Sequence, residues 1–290
     1  MPAQLLDGSA TARAIRAEVA QGVAQLRAQR GVVPLLVTVM EGDDPAARSY
    51  VRSIARQAEG AGIRCRHEAL IATAGDAALR ATITVLNADP DVHGVIVQYP
   101  LPAPLTAGAV AGTLDPRKDV DGITPANAGA LMLVQPGFVP GTPLGGLELL
   151  HRSGIDLTGL AAVVVGRSVV LGKPLALLLV HANATVTVCH TRTRDLAGVC
   201  RQADLLCAAT GKAGLITADM IKPGAVVLDF GLSPGPEGKL VGDVDFAAAS
   251  AVASWITPVP GGTGPMTAAV LLRNTLQAAQ TLTGGQQAAG

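Results

Sequence analysis

An α/β fold of two domains, the second built on a doubly wound parallel sheet, is what three features of the sequence predict. Short β-rich runs alternate with longer Ala-rich amphipathic segments, the pattern of parallel strands joined by helical crossovers. Hydrophobic residues make up 49% of the chain but aromatics only 2%, so the core is built from Ala, Val, Leu and Ile, which favours helices packed on sheets. A length of 290 residues accommodates two cores of ordinary size.

The strands predicted in order are Val33–Met40, Arg64–Leu70, Gly94–Gln98, Ala161–Val165, Thr185–Cys189, Leu205–Ala208, Ala225–Asp229 and Ser254–Ile256. Helical periodicity marks Thr11–Gln29, Pro45–Gly60, Ala77–Ala88 and Pro174–Ala182. The stretch VQPGFVPGT, Val134 to Thr142, concentrates Pro and Gly between two helical patterns and sets the junction there. The expected division is 1–138 for the first domain and 139–265 for the second. A last helix, 266–282, packs back on the first domain.

Twenty-two basic and 22 acidic residues leave no net charge, which argues against nucleic acid or an anionic membrane as partner. Any anionic ligand is then held by local charges. Cys65, Cys189, Cys200 and Cys207 show no metal-ligand spacing, and they read as buried thiols of a reducing compartment; no metal is expected. The N-terminus lacks a signal core and no apolar run reaches the ~20 residues that span a bilayer, so a soluble cytoplasmic protein is expected.

Residues 161 to 177, AAVVVGRSVVLGKPLAL, read as an apolar strand, a glycine turn and a helix entered through Pro174. Such a turn gathers backbone N–H groups and the positive end of a helix dipole at one point, which suits a phosphate. The spacing of Gly166 and Gly172 is not GxGxxG, so a glycine needed only for packing is the other reading. At the end of the next strand, where an NAD-selective Rossmann unit tends to place a carboxylate, stand His190, Thr191, Arg192 and Thr193. Arg167 in the first turn, with Thr191 and Arg192, offers charge and hydroxyl donors for a 2′-phosphate, which favours NADP over NAD. Lys173 either faces phosphate or is a solvated first-turn lysine. Thr210 and Gly211 of ATG, and DFG at Asp229 to Gly231, end two further strands where a doubly wound sheet lines its cofactor. No other kinase motif accompanies DFG.

In the first half, GVIVQYPLP (94–102) is a buried strand ending in polar Gln98, and PRKDVDGI (116–123) places two carboxylates and a lysine around a glycine turn. Taken with LLDG (5–8), GDDPAARSYV (42–51), GRSVVLGKPLALLL (166–179), ATVTVCHTRT (184–193), IKPGAVVLDFG (221–231), VGDVDF (241–246) and ITPVPGGTGPMT (256–267), these segments make the chain resemble the bacterial bifunctional methylenetetrahydrofolate dehydrogenase/methenyltetrahydrofolate cyclohydrolase family, nearly end to end and in order.

The resemblance implies a homodimer whose subunits carry two α/β domains with the folate cleft between them, acting on tetrahydrofolate one-carbon derivatives with NADP. It implies a catalytic role for Tyr50 near the reacting carbon, for Gln98 in the same pocket, and for Asp121 as the carboxylate holding the pterin. Val51, Pro100 and Leu101 complete the substrate side with Pro260, Gly261 and Gly262 of a loop at the cleft. Gly166, Arg167, Ser168, Gly172, Thr191, Arg192, Thr210 and Gly211 form the cofactor side.

One position departs from the family's pattern. YVxxK sets a catalytic lysine four residues after the tyrosine, and Ile54 stands there. Arg52 and Arg56 leave that helix face by about 200°, and arginine is a poor proton shuttle because its pKa lies above ~12. Hydride transfer needs mainly the alignment of two bound rings, whereas opening the ring with water needs proton transfers. The expectation is a dehydrogenase whose cyclohydrolase step is very weak or lost. Alternatives are a bifunctional enzyme using another base, a folate-binding protein of little activity, and a homologue with a related substrate in a specialised pathway.

Overall fold

The computed structural model describes residues 2–98, 101, 107–235 and 238–284. In its first half the elements are β1 (Gln4–Leu5), α1 (Gly8–Arg30), β2 (Leu35–Glu41), α2 (Pro45–Gly60), β3 (Arg64–Leu70), α3 (Gly75–Ala88), β4 (Gly94–Val97), α4 (Ala107–Ala111) and α5 (Pro125–Met132). There follow α6 (Gly141–Arg152), β5 (Ala161–Val165), α7 (Gly172–His181), β6 (Thr185–Cys189), α8 (Leu196–Cys200), β7 (Leu205–Ala208) and β8 (Val226–Asp229). The chain closes with β9 (Ser233–Pro234), β10 (Leu240–Val241), α9 (Phe246–Ala249), β11 (Trp255–Ile256) and α10 (Thr263–Gly284).

These elements form two compact units. The smaller-sheet unit runs from Ala14 to Val139 and takes up the chain again from Val270. Its three parallel strands lie in the order β3-β2-β4, with Leu36 paired to Cys65 on one side and Gly94 on the other. Every residue of β2 is buried, which is why the run LLVTVME does not alternate as a one-faced strand does. From α3, Leu79, Ile83 and Leu86 pack at helical spacing against Val37, Val39 and Val95. Each such side chain contributes about 2 kcal/mol on burial.

The larger-sheet unit comprises the chain up to Arg13 together with Pro140–Ala269. Its strands lie in the order β1-β11-β8-β7-β5-β6, all parallel. The third strand of the run, β7, lies on the opposite side of β5 from β6, so the winding reverses between β5 and β7. Ligands of doubly wound sheets bind beyond the carboxyl ends of the strands at such a switch point. Gly166 follows β5 and Ala209 to Gly211 follow β7, so both predicted glycine turns flank it.

Several sequence-based boundaries move. β2 starts at Leu35, after Pro34, which has no N–H to give to a ladder. Gln98 lies beyond β4, although its N–H still bonds Val39 O at 2.8 Å. β8 and β11 each begin one residue late. α1 begins at Gly8 because Asp7 caps it, accepting from Ala10 N at 2.9 Å. α3 starts at Gly75, and α10 starts at Thr263, three residues before the expected Met266. α7 is entered at Gly172, with Pro174 already inside its first turn. The strand β1 was not predicted: two exposed residues carry no periodicity, and only pairing with β11 makes them a strand.

Candidate functional site

On the smaller-sheet unit, α2 is fixed at its start by Asp44, whose carboxylate accepts from Ala47 N at 2.7 Å, and by Pro45 in the first turn. Ala47, Val51, Ile54 and Ala58 form its buried stripe. Tyr50 borders that stripe, about 40° around the helix from Ile54. The tyrosine keeps 41% of its surface exposed, whereas Ile54 keeps 1%. Partial desolvation, then the Asp121 carboxylate, push the Tyr50 phenol up to about 12. At neutral pH it is therefore a hydrogen-bond donor and not a base.

Asp121 is carried by a rigid turn. Its neighbour Asp119 is fully buried and accepts from Ile123 N at 3.1 Å, Thr124 N at 2.8 Å and Asn127 Nδ2 at 2.8 Å. Those bonds consume Asp119 and aim the chain that presents Asp121. Desolvation first, then the charge of Asp119, push Asp121 up to about 6.

Lys118, the nearest lysine in that motif, is turned to other work. Its buried ammonium donates to Leu86 O at 3.0 Å, Asn87 O at 2.9 Å and Asp89 O at 2.6 Å, closing the carboxyl end of α3. Burial holds its pKa below the ordinary lysine value. Gln98 is buried at the end of β4, Val51 faces the α2 core, and Leu101 is half-buried. Pro100 lies outside the described residues. Tyr50 and Asp121 are thus brought into electrostatic contact, while Pro260, Gly261 and Gly262 belong to the other unit.

On the larger-sheet unit the two glycine turns approach closely. Gly166 has φ +143°, and a Cβ there would strike the carbonyl oxygen of Ala209. A Cβ on Gly172 would strike that of Gly166. Both glycines therefore satisfy a packing need, and they bring the two turns together at the N-terminus of α7, a place that suits a phosphate. Ser168 Oγ accepts from Gly172 N at 3.3 Å. Arg167, Thr191 and Arg192 are exposed beside the ends of β5 and β6. His190 Nδ1 accepts from Arg192 N at 3.1 Å and Thr193 Oγ1 from His190 N at 2.8 Å, which shapes the turn that carries Thr191 and Arg192. These residues fit a nucleotide with an extra phosphate.

The sequence reading set DFG beside the cofactor without a role for the Asp229 carboxylate, and it passed over Asp243. Asp243 is fully buried, and its Oδ2 accepts from Thr210 N at 2.5 Å and from Gly211 N at 3.0 Å. Asp229 accepts from Gly231 N at 2.8 Å, Asp243 N at 3.0 Å and Val244 N at 3.0 Å. Desolvation pushes Asp229 up to about 6 against the pull of those N–H groups. The available signal was Asp close to Gly in DFG and VGDVD, a pattern that marks side-chain caps on backbone as readily as turns.

Comparison with known proteins supplies the context. Residues 6–121 match the family model described as tetrahydrofolate dehydrogenase/cyclohydrolase, catalytic domain, and residues 140–283 match its NAD(P)-binding domain. The chain is 52% identical over 284 residues to "Bifunctional protein FolD" of Chloroflexus aurantiacus, covering 98% of this chain and all of that one. Among solved structures, bifunctional FolD from Campylobacter jejuni superposes with TM-score 0.94 at 43% identity, covering 96% of this chain and 99% of that one. The Trypanosoma brucei methylenetetrahydrofolate dehydrogenase-cyclohydrolase, solved with NADP cofactor and inhibitor, superposes with TM-score 0.92 at 37% identity, covering 97% and 98%.

Proposed function

The chain belongs to the tetrahydrofolate dehydrogenase/cyclohydrolase family, and we propose that it oxidises 5,10-methylenetetrahydrofolate to the 5,10-methenyl form with NADP, its hydrolytic step being very weak. Bound NADP would supply the hydride acceptor. The protein's part is to align the rings. Asp121 holds the pterin, Gln98 lies in the same pocket, and Tyr50 donates a hydrogen bond near the reacting carbon. The turns at Gly166 and Gly172 take the pyrophosphate, Thr210 and Gly211 line the nucleotide, and Arg167, Ser168, Thr191 and Arg192 hold the 2′-phosphate.

Loss of hydrolysis is carried by one observation. Ile54, one turn from Tyr50, is buried in the α2 stripe, where the family pattern has a lysine to move protons. The ammonium of Lys118 is tied to three carbonyls and cannot take over. A second reading, full bifunctionality, is favoured by the raised pKa of Asp121, which sets a titratable group close to neutrality beside Tyr50. The proposal assigns 1–138 and the last helix, 266–282, to the folate side and 139–265 to the cofactor side, although the NAD(P)-binding family model extends over 140–283 and residues 1–13 belong to the larger-sheet unit. A cytoplasmic homodimer completes the proposal. β3 is an edge strand with alternating exposure, the kind of edge a second copy covers.

The deciding experiment supplies methylenetetrahydrofolate with NADP or NAD and follows NADPH, methenyl and 10-formyl products separately. Expected are NADP reduction, methenyl accumulation and enzyme-dependent 10-formyl formation ~10²- to 10⁴-fold below a lysine-bearing relative, the usual cost of a lost acid–base group. Ile54→Lys then raises 10-formyl formation. Rapid hydrolysis by the unaltered protein that Asp121→Asn abolishes would establish the second reading, and equal turnover with NAD would remove the 2′-phosphate role of Arg167 and Thr191.

A further inference from the structure

Among the described residues, the densest array of buried charge that the proposed chemistry leaves unused lies at the carboxyl ends of β7 and β8. Asp229 and Asp243 are both buried there. Asp243 Oδ1 has no hydrogen-bond partner among the described residues, an expense that a residue serving stability alone rarely carries.

The bonds run in one direction. Thr257 and Thr263 hold the backbone of Asp229: its N–H donates to Thr257 Oγ1 at 2.7 Å and its carbonyl accepts from Thr263 Oγ1 at 2.9 Å. The Asp229 carboxylate then gathers the N–H groups of Gly231, Asp243 and Val244. Asp243, so placed, takes the N–H groups of Thr210 and Gly211 on one oxygen. Two glycines make room: a Cβ on Gly231 would strike Asp243, and one on Gly242 would strike the Asp229 carboxylate. The glycines of DFG and VGD are explained by these two side chains.

We infer that Asp243, held by Asp229, is a positioning residue that sets the Thr210–Gly211 backbone to receive the dinucleotide, and that Asp229 ties that turn to the loop from Thr257 to Thr263. The inference rests on the cofactor assignment proposed above. With both N–H groups turned inward to Asp243, the turn presents its remaining groups to the switch point between β5 and β7. Asp243 acts through that backbone.

The test uses the full-length protein, with NADP binding followed by calorimetry and both KM values by steady-state kinetics. Asp243→Ala is expected to weaken NADP about 10- to 100-fold, the effect of removing a charged acceptor from two N–H groups, while KM for methylenetetrahydrofolate moves less than about twofold. Asp243→Asn keeps one acceptor oxygen in the same shape and is expected to recover most of the loss, leaving NADP about 3- to 10-fold weaker. A general structural defect would raise both KM values together and would not be rescued by Asn. If the alanine variant does not fold, the asparagine variant decides: NADP affinity equal to wild type overturns the inference. Wild-type protein that binds no NADP overturns the cofactor assignment and the inference with it, whereas wild-type binding with unchanged variants overturns the inference alone.

Discussion

Asp119 with Asp121, and Asp229 with Asp243, are two aspartate pairs, one in each unit, and they divide their labour differently. In the smaller-sheet unit one member takes all the donors: Asp119 accepts from the backbone N–H groups of Ile123 and Thr124 and from Asn127 Nδ2, and Asp121 is left to act outward. In the larger-sheet unit both members turn inward, Asp229 to the 231–244 turn and Asp243 to Thr210 and Gly211. On the proposed roles, the first pair leaves a free carboxylate to meet a ligand, and at the second the carboxylates shape from behind the backbone that meets it. Identical side chains thus divide into an outward carboxylate in one place and scaffolding in the other, according to how many N–H groups each unit's turn offers them.

The sharpest way to break this comparison is Asp119→Ala. Three donors, two of them buried, lose their acceptor, and a destabilisation of ~2–6 kcal/mol is expected from ~1–3 kcal/mol per buried orphaned group; urea unfolding measures it. A loss under ~1 kcal/mol would show that Asp119 is not the scaffold of its pair.

Lys118→Met comes next. Its ammonium caps three carbonyls at the end of α3 from a buried position, so ~2 kcal/mol of stability should go. The ratio of 10-formyl to methenyl product should stay unchanged. A fall in that ratio would return Lys118 to the chemistry.

Asp121→Asn has the smallest effect on folding and the clearest on pH. The folded pKa of Asp121, about 6, lies above the ordinary carboxylate value. Between about 6 and about 4 the folded protein therefore binds a proton that the unfolded chain does not, so this group's contribution to stability is fully present below about 4 and is lost as pH rises through about 6. The difference between wild type and Asp121→Asn should change by ~1–2 kcal/mol across that window, with wild type gaining at low pH. Wild-type KM for folate should rise below pH ~6 as the carboxylate is protonated, and the variant should show a raised, flat KM. A variant with the wild-type pH profile would locate the titration elsewhere.

Much of the architecture was legible because apolar patterning and punctuation are local. The predicted bounds of Arg64–Leu70, Ala161–Val165, Thr185–Cys189, Leu205–Ala208 and Pro45–Gly60 coincide with β3, β5, β6, β7 and α2. The Asp-Pro start of α2 and the glycine that ends it are complete signals in themselves. β1 escaped because two residues have no period to detect. The start of α10 escaped because Thr263 and Gly264 read as more of the preceding loop. Of the site, Tyr50 and Asp121 were visible through motif, while Asp243 was hidden because an aspartate in a Gly-rich turn looks the same whether it faces water or takes two N–H groups.

The sequence alone determined the alternation of strand and helix, the glycines at 166 and 172, and the isoleucine four residues beyond Tyr50, since each depends only on the order of residues and on local backbone preference. Tertiary structure decided which charges are free. That Lys118 caps α3, that Asp119 supports Asp121 and that Asp243 holds the Thr210–Gly211 turn all depend on hydrogen bonds between segments 5 to 33 residues apart. Burial sets the cost of leaving such groups unpaired, and burial exists only once the chain has folded.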